Sequence, residues 1–311
     1  MTLERHDIEA AATKLRPWVR RTPVIEVDPG DLGLDGVRRP VVLKLEYLQH
    51  SGSFKARGAH YQLLALDVPA AGVVAASGGN YGVAVAYAAD RLDVVATVFV
   101  PDTTAPTKLA RLRGLGARVE VIPGYYDDAL VAARAHANAS GALQLHAFDQ
   151  PEMLLGAGTV AAELEEQATV DRVVVAVGGA GLIGGIATWY RGSVALTGVE
   201  TEGCQSLHAA LVAGEPVDVE VGGIAADSLG ARRVGSLGFA AARRWVDGVT
   251  LVTDDAVVDA QRRLWSALRI ATEPGGAAAL AALTSGALRV APDARIGVVL
   301  CGANVDPSAL A

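Results

Sequence analysis

A chain of 311 residues can bury roughly three quarters of the surface that its unfolded form exposes, so it needs no disulfide or metal staple to fold. Apolar residues make up 51% and charged residues 20%, which excludes a disordered chain. The net charge is −7 and no basic run exceeds Arg243-Arg244 or Arg262-Arg263, which argues against nucleic acid because phosphate neutralisation needs clustered cations.

The opening stretch "MTLERHDIEAAATKLRPWVRR" lacks the apolar centre of a signal peptide, and no later apolar run reaches membrane-spanning length. A cytoplasmic protein without a membrane partner is expected. Residues 28–40, "DPGDLGLDGVRRP", read as a turn-rich surface loop, and "PVVLKLEYL" after it as a strand. Next comes "HSGSFKARGAH" (50–60), where a strand-like run gives way to a helix-like one and Lys55 stands just behind Phe54. The chain has four lysines against twenty-three arginines. A lysine needed only for surface charge could be an arginine. One that must lose its proton and attack a carbonyl could not, because guanidinium stays protonated.

Further strands are expected at "GVVAAS", "VVATVFVP", "ARVEVIP", "LQLHAF", "RVVVAVGG", "ALTGVET", "VTLVTD" and "RIGVVLCG". Alanine-rich helical patterns such as "NYGVAVAYAADR" and "DDALVAARAHANAS" lie between them, and "TKLARLRGL" (107–115) reads as a short helix closed by Gly116. Strand–helix alternation with continuously apolar strands predicts an α/β fold with parallel sheets covered on both faces. No repeat or linker-like stretch divides the chain. Cys204 and Cys301 are too few for a disulfide framework, and the six histidines show no metal-ligand spacing, so no metal site is expected. His50, beside the lysine stretch, reads as a loop histidine with a structural hydrogen bond.

Three glycine-rich turns follow apolar strands and open helices: "SGGNYG" (77–82), "VGGAGLIGG" (177–185) and "TEPGGAAALAAL" (272–283). Free N–H groups at a helix start favour anions, so each is a candidate cradle for a phosphate or carboxylate. In the second, Gly179, Gly181 and Gly184 satisfy G-x-G-x-x-G, and Glu200 ends the next strand at about the distance of a ribose-binding acid. A dinucleotide site, a phosphate-only cradle and a purely structural turn all remain open on this pattern. Ser77, Gly78, Gly79 and Asn80 could converge backbone amides on a carboxylate, or could simply be good turn residues.

Taken together, the segments resemble the fold-type II pyridoxal-phosphate (PLP) enzymes, in the threonine/serine dehydratase and serine racemase branch. "LQHSGSFKARGA" is similar to the family's Schiff-base lysine motif, "SGGNYG" to its substrate loop and "VGGAGLIGG" to its tetraglycine phosphate loop. "TEPGGAAALAA" is similar to its E-P-x-G-A segment and "VVLCGANVD" to its closing S-G-G-N strand, all in family order from residue 22 to residue 306. The resemblance implies a tryptophan synthase β-like architecture of two domains, each an open, mostly parallel twisted sheet flanked by helices. Residues 1–66 and 148–311 would form the large cofactor domain and 67–147 the small substrate-loop domain, in a homodimer.

It also implies roles. Lys55 would bond the cofactor aldehyde, with Phe54 beside the ring. Asn80 would hold the 3′-oxygen, and Gly178, Gly179, Ala180, Gly181 and Leu182 would bind the phosphate through backbone amides. Ser77, Gly78, Gly79 and Asn80 would grip the substrate carboxylate, with Tyr81 following them. Glu273 would line the pocket, although an acid near a helix N-terminus is favourable in its own right. Cys301 would face the pyridine nitrogen, where the family mostly has serine; a small core residue on the last strand is the competing reading.

Three departures from the pattern matter. Gly78 stands where a racemase of this branch places the serine that acts opposite the lysine, which favours elimination. Tyr81 replaces the usual histidine. "ETEGCQS" keeps Glu200 but puts Ser206 where a divalent-cation motif has its second acid, so no obligatory divalent ion is expected, while a monovalent ion stays open. The function implied is β-elimination of L-threonine, L-serine or a related β-hydroxy amino acid to a 2-oxo acid and ammonia. The alternatives are an amino-acid racemase on the same scaffold, an NAD-dependent oxidoreductase, and a non-catalytic PLP-binding protein.

Overall fold

The computed structural model of the chain describes residues 3–305. Both ends of the expected large domain, and Asp306 at the end of the resembling stretch, lie outside the described residues. The strands are β1 (Val24–Val27), β2 (Val41–Lys44), β3 (Val73–Ala76), β4 (Ala96–Pro101) and β5 (Arg118–Ile122), then β6 (Leu143–Gln144), β7 (Arg172–Ala176), β8 (Ala195–Thr201), β9 (Gly248–Val252) and β10 (Ile296–Val299). They build a six-stranded sheet in the order β1-β2-β10-β7-β8-β9 and a four-stranded sheet in the order β5-β4-β3-β6.

Among the described residues every strand pairing is parallel except β1 with β2, which runs antiparallel from Val24↔Lys44 to Val27↔Val41. Strands β2, β3 and β10 are buried at every position, the state that their unbroken apolar runs predict for strands covered on both faces. Each fully buried Val or Leu in such a strand contributes about 1.5–3 kcal/mol relative to exposure. Helices pack closely on this core because small residues let them approach. A Cβ added to Gly185, on the helix Gly181–Tyr190, would lie 2.3 Å from the Leu154 carbonyl oxygen of the helix Pro151–Gln167.

Two elements differ from expectation. β1 is absent from the predicted strands: it is a half-exposed edge strand of four residues, too short to show a pattern. The expected strand "LQLHAF" stops at Gln144, because His146 Nδ1 accepts the backbone N–H groups of Phe148 (3.3 Å) and Asp149 (2.9 Å) and turns the chain. The short helix Pro106–Gly114 does end at the expected cap, with Gly116 at φ +77°.

The topology gathers chemistry at one edge. The loops after β2, β10 and β7 in the larger sheet and after β3 in the smaller one carry Lys55, Cys301, the 178–182 loop and Asn80. All follow carboxyl ends of parallel strands, where open α/β sheets bind their ligands.

Candidate active site

Lys55 opens the helix Lys55–Ala65, and that helix is bolted in place from below. Two residues on, Arg57 is 0% exposed and donates to both oxygens of Glu46 and both oxygens of Glu163, each at 2.8 Å. Lys44, also 0% exposed, donates to Glu163 (2.8 Å), Gln167 (2.8 Å) and the Thr22 carbonyl (2.7 Å). Burial alone would raise the Glu163 carboxyl, but the two cations overrule it and hold it below the ordinary range. Four charges cancel here in a closed hydrogen-bonded set, which is the condition for burying them at all. Glu46 lies in the 3₁₀ turn after β2, so the cluster ties that strand, the Lys55 helix and the helix Pro151–Gln167 together.

Above the cluster Lys55 reaches a cleft of about 470 Å³ of empty space. Its walls include Phe54, Lys55, Asn80, the run Ala176–Ile183, Ser228, Leu229, Glu273 and Cys301. The lysine Nζ donates to the Ala147 carbonyl at 2.6 Å and lies 5.0 Å from the Phe54 ring centroid and 5.8 Å from that of Tyr81. Burial pushes its ammonium down to about 8, so roughly a tenth of the amine is unprotonated at pH 7 and about half at pH 8.

The opposite wall is a bare backbone cradle. The amides of Gly178, Gly179, Ala180, Gly181 and Leu182 have no hydrogen-bond acceptor among the described residues. Ala180 takes a left-handed conformation (φ +64°) and opens the helix Gly181–Tyr190. Gly179 has no room for a side chain, since a Cβ there would lie 2.2 Å from the Phe148 ring. Five free amides at a helix start form a receptor for an anion.

Between these walls Asn80 is held from both ends. Its Nδ2 donates to Glu273 at 2.5 Å and its Oδ1 accepts from Asn304 Nδ2 at 2.6 Å. Glu273 is the N-cap residue of the helix Pro274–Thr284, yet its side chain makes no cap bond and crosses to Asn80 instead. Burial pushes its carboxyl up to about 7, against the opposing hydrogen bond from Asn80. Cys301 is buried and donates to the Gly275 carbonyl at 3.4 Å; burial, then the nearby Glu273, pushes the thiol well up, so it stays neutral.

A family profile described as pyridoxal-phosphate dependent enzyme matches residues 15–302. The chain belongs to that family. It is 38% identical to a phenylserine dehydratase from Ralstonia pickettii over 98% of this chain and 95% of that protein. It is 37% identical to an L-threonine ammonia-lyase from Geobacter sulfurreducens over 96% of this chain and 75% of that one. The solved structure of maize serine racemase superposes with a TM-score of 0.92 at 29% identity, covering 100% of this chain and 96% of the other.

The residues present fit the PLP that this enzyme family depends on. An amine with a lowered pKa, a run of free amides that a Cβ would obstruct, and a neutral thiol are the donor set that an aldehyde, a phosphate ester and an unprotonated ring nitrogen require. Lys55, the 178–182 loop, Asn80, Phe54 and Cys301 would hold the group.

Other expected site residues lie elsewhere. Ser77, Gly78 and Gly79 precede the helix Asn80–Arg91 but are not among the cleft walls named above; Ser77 Oγ accepts the Gly79 N–H at 3.3 Å. Tyr81 is buried, and its hydroxyl donates to Gln62 Oε1 at 2.8 Å, so it offers the Lys55 side a ring face rather than a phenol. His50 stacks on Tyr87 at 5.0 Å and its Nδ1 lies 3.0 Å from the Tyr87 hydroxyl, a structural contact. Glu200 is buried, with both oxygens taking the backbone N–H groups of Leu207 and His208 at 2.8 Å, so it is not available to a ribose. Sequence reasoning passed over Asn304, Ser228, Phe148 and Ala147. Asn304 stands inside "CGANVD", so a signal was there; the others carry none.

Proposed function

We propose that this chain catalyses β-elimination of L-threonine, L-serine or a related β-hydroxy amino acid, releasing a 2-oxo acid and ammonia. The observation that carries this reading is a reactive amine in the cleft paired with a glycine where a racemase of this branch places its second acid/base. A single amine titrating near pH 8 faces the cleft, while the place for a second acid/base is Gly78. A Cβ added there would sit 3.0 Å from Thr104 Cγ2, so a serine would require Thr104 to move. A dehydratase and an ammonia-lyase among the relatives support the same direction.

When bound, PLP supplies an electron sink that makes the Cα proton of an amino acid acidic. Lys55 would hold the cofactor, and its amine, with a pKa near ambient pH, would take that proton as general base. Backbone amides of 178–182 would orient the phosphate, and Ser77 to Asn80 would receive the substrate carboxylate. Asn80 would donate toward the cofactor's 3′-oxygen with the hydrogen that Glu273 does not take. Cys301, neutral and already donating to Gly275, cannot keep a ring nitrogen protonated, which suits a reaction whose leaving hydroxyl carries the electrons away. The four-stranded unit at 67–147 acts as a small domain that closes over the ligand, and the working unit is a homodimer.

The test is an assay of purified, PLP-loaded protein with L-threonine, L-serine and 3-phenylserine, reading 2-oxobutyrate, pyruvate and phenylpyruvate beside D-serine from L-serine. Keto-acid release far exceeding D-serine formation is expected. Racemisation faster than elimination would overturn the reading in favour of the racemase alternative.

A further inference from the structure

Arg111 lies on the exposed helix Pro106–Gly114, where it reads as one more surface charge. Its guanidinium nevertheless donates to Asn304 Oδ1 at 2.6 Å and to the Ser51 carbonyl at 3.0 Å. Asn304 Nδ2 donates in turn to the same Ser51 carbonyl (2.9 Å) and to Asn80 Oδ1 (2.6 Å), and Asn80 Nδ2 donates to Glu273 (2.5 Å). This line runs from a solvent-facing arginine to the wall of the PLP cleft.

Its direction is dictated at the outer end. A guanidinium can only donate and a backbone carbonyl can only accept. Arg111 therefore requires the oxygen of Asn304 to face it, and the Ser51 carbonyl requires the amide nitrogen of Asn304 on its own side. That nitrogen then meets Asn80, which must answer with its oxygen and so turns its own N–H₂ toward Glu273 and the cleft. Reversing any one amide would set oxygen against oxygen along the line. Gly52 keeps the joint open: at φ +78° it is left-handed, and a Cβ there would lie 2.3 Å from Asn304 Oδ1.

We propose that Arg111 is a positioning residue for the cofactor site, acting through Asn304 to fix which end of the Asn80 amide faces the cleft. The proposal rests on the assignment of Asn80 to the cofactor made above. It differs from a packing role because it depends on the hydrogen-bonding sense at position 111 and not on bulk. Lysine preserves a donor, methionine removes it at similar length, and glutamate replaces it with an acceptor that favours the reversed amide.

The experiment measures PLP affinity of the cofactor-free protein by titration of the visible band, beside thermal unfolding of the same cofactor-free samples, for Arg111→Lys, Arg111→Met, Arg111→Glu and Asn80→Leu. Arg111→Lys is expected within about twofold of the parent, Arg111→Met about tenfold weaker, and Arg111→Glu weaker still, one charged hydrogen bond being worth roughly that factor or more. Unfolding temperatures are expected to stay together while affinities separate. Equal affinity in the lysine and methionine variants would overturn the relay, as would losses that merely follow unfolding temperature. Should Arg111→Glu fail to fold, the lysine–methionine difference decides. Unchanged affinity in Asn80→Leu would overturn the Asn80 assignment and the relay with it, whereas loss only in Asn80→Leu would sink the relay alone.

Discussion

Lys44 and Lys55 stand eleven residues apart in the same chain, both drawn out of water, and their surroundings give them opposite uses. Lys44 is ringed by acceptors: a carboxylate, a side-chain amide oxygen and a backbone carbonyl, all within 2.8 Å, with Glu46 at 4.0 Å. Burial lowers its pKa while Glu46 and Glu163 work against that, so its proton has partners on every side. Lys55 has one acceptor, the Ala147 carbonyl, and no carboxylate partner; burial acts on it almost unopposed and brings it to about 8. One amine is an anchor, and the other is the reagent of the function proposed above. Saturating a buried ammonium with acceptors makes it structural, and leaving it short of them frees it for chemistry.

That contrast breaks most sharply at its reactive member. Lys55→Ala should remove the visible band of the PLP-loaded protein and lower turnover by roughly 10²–10⁴ from the lost general base alone, read by keto-acid assay. A variant that kept both would end the contrast. On the anchoring side, Arg57→Met leaves Glu46 and Glu163 buried beside too little positive charge. It should cost about 3–5 kcal/mol of stability in chemical denaturation. Lys44→Met leaves Arg57 to satisfy Glu163 and should cost less, about 1–3 kcal/mol.

The electronic setting of the cleft is probed next. Cys301→Ser should retain most activity, since either group is neutral and can donate to Gly275. Cys301→Asp should lose on the order of a hundredfold in kcat/KM, ~2.7 kcal/mol of transition-state stabilisation. A fully active Asp variant would contradict the neutral-ring account. The smallest expected effect is a slope. With a folded pKa near 8 against 10.5 for the free side chain, the unfolded chain binds more protons than the folded one across that window. Stability of the cofactor-free protein should therefore gain a rising component between about pH 8 and 10.5, as the cost of burying a charged amine falls away. Lys55→Met should lack that component, measured as the difference between the two thermal unfolding profiles.

Much of the fold was legible because parallel strands buried on both faces leave unbroken apolar runs, as β8 and the helix Asn80–Arg91 show by starting and ending where their patterns do. β1 was hidden because a four-residue edge strand with one buried position leaves no period to detect. Lys55 stood out by the choice of lysine in an arginine-rich chain, whereas the 178–182 loop was one of three glycine turns whose use the residues left open and only the family resemblance singled out. The cluster beneath Lys55 was not. Arg57 and Lys44 meet Glu163 across 106 and 119 residues of chain, and no local spacing announces a partner at that range. The same holds for Asn304 against Asn80, 224 residues apart, and for an exposed Arg111 whose neighbours come from two distant loops. Glu273 shows the limit from the other side: the resemblance placed it in the pocket wall and its own position suited an acid near a helix N-terminus, and only the folded chain shows its carboxyl turned to Asn80.

The most direct measurement is borohydride reduction of the PLP-loaded protein followed by digestion and peptide mass spectrometry. The account predicts a pyridoxyl adduct on the peptide that contains Lys55 and none on the peptide that contains Lys44. An adduct on Lys44, or its absence from Lys55 in protein that carries the visible band, would contradict it.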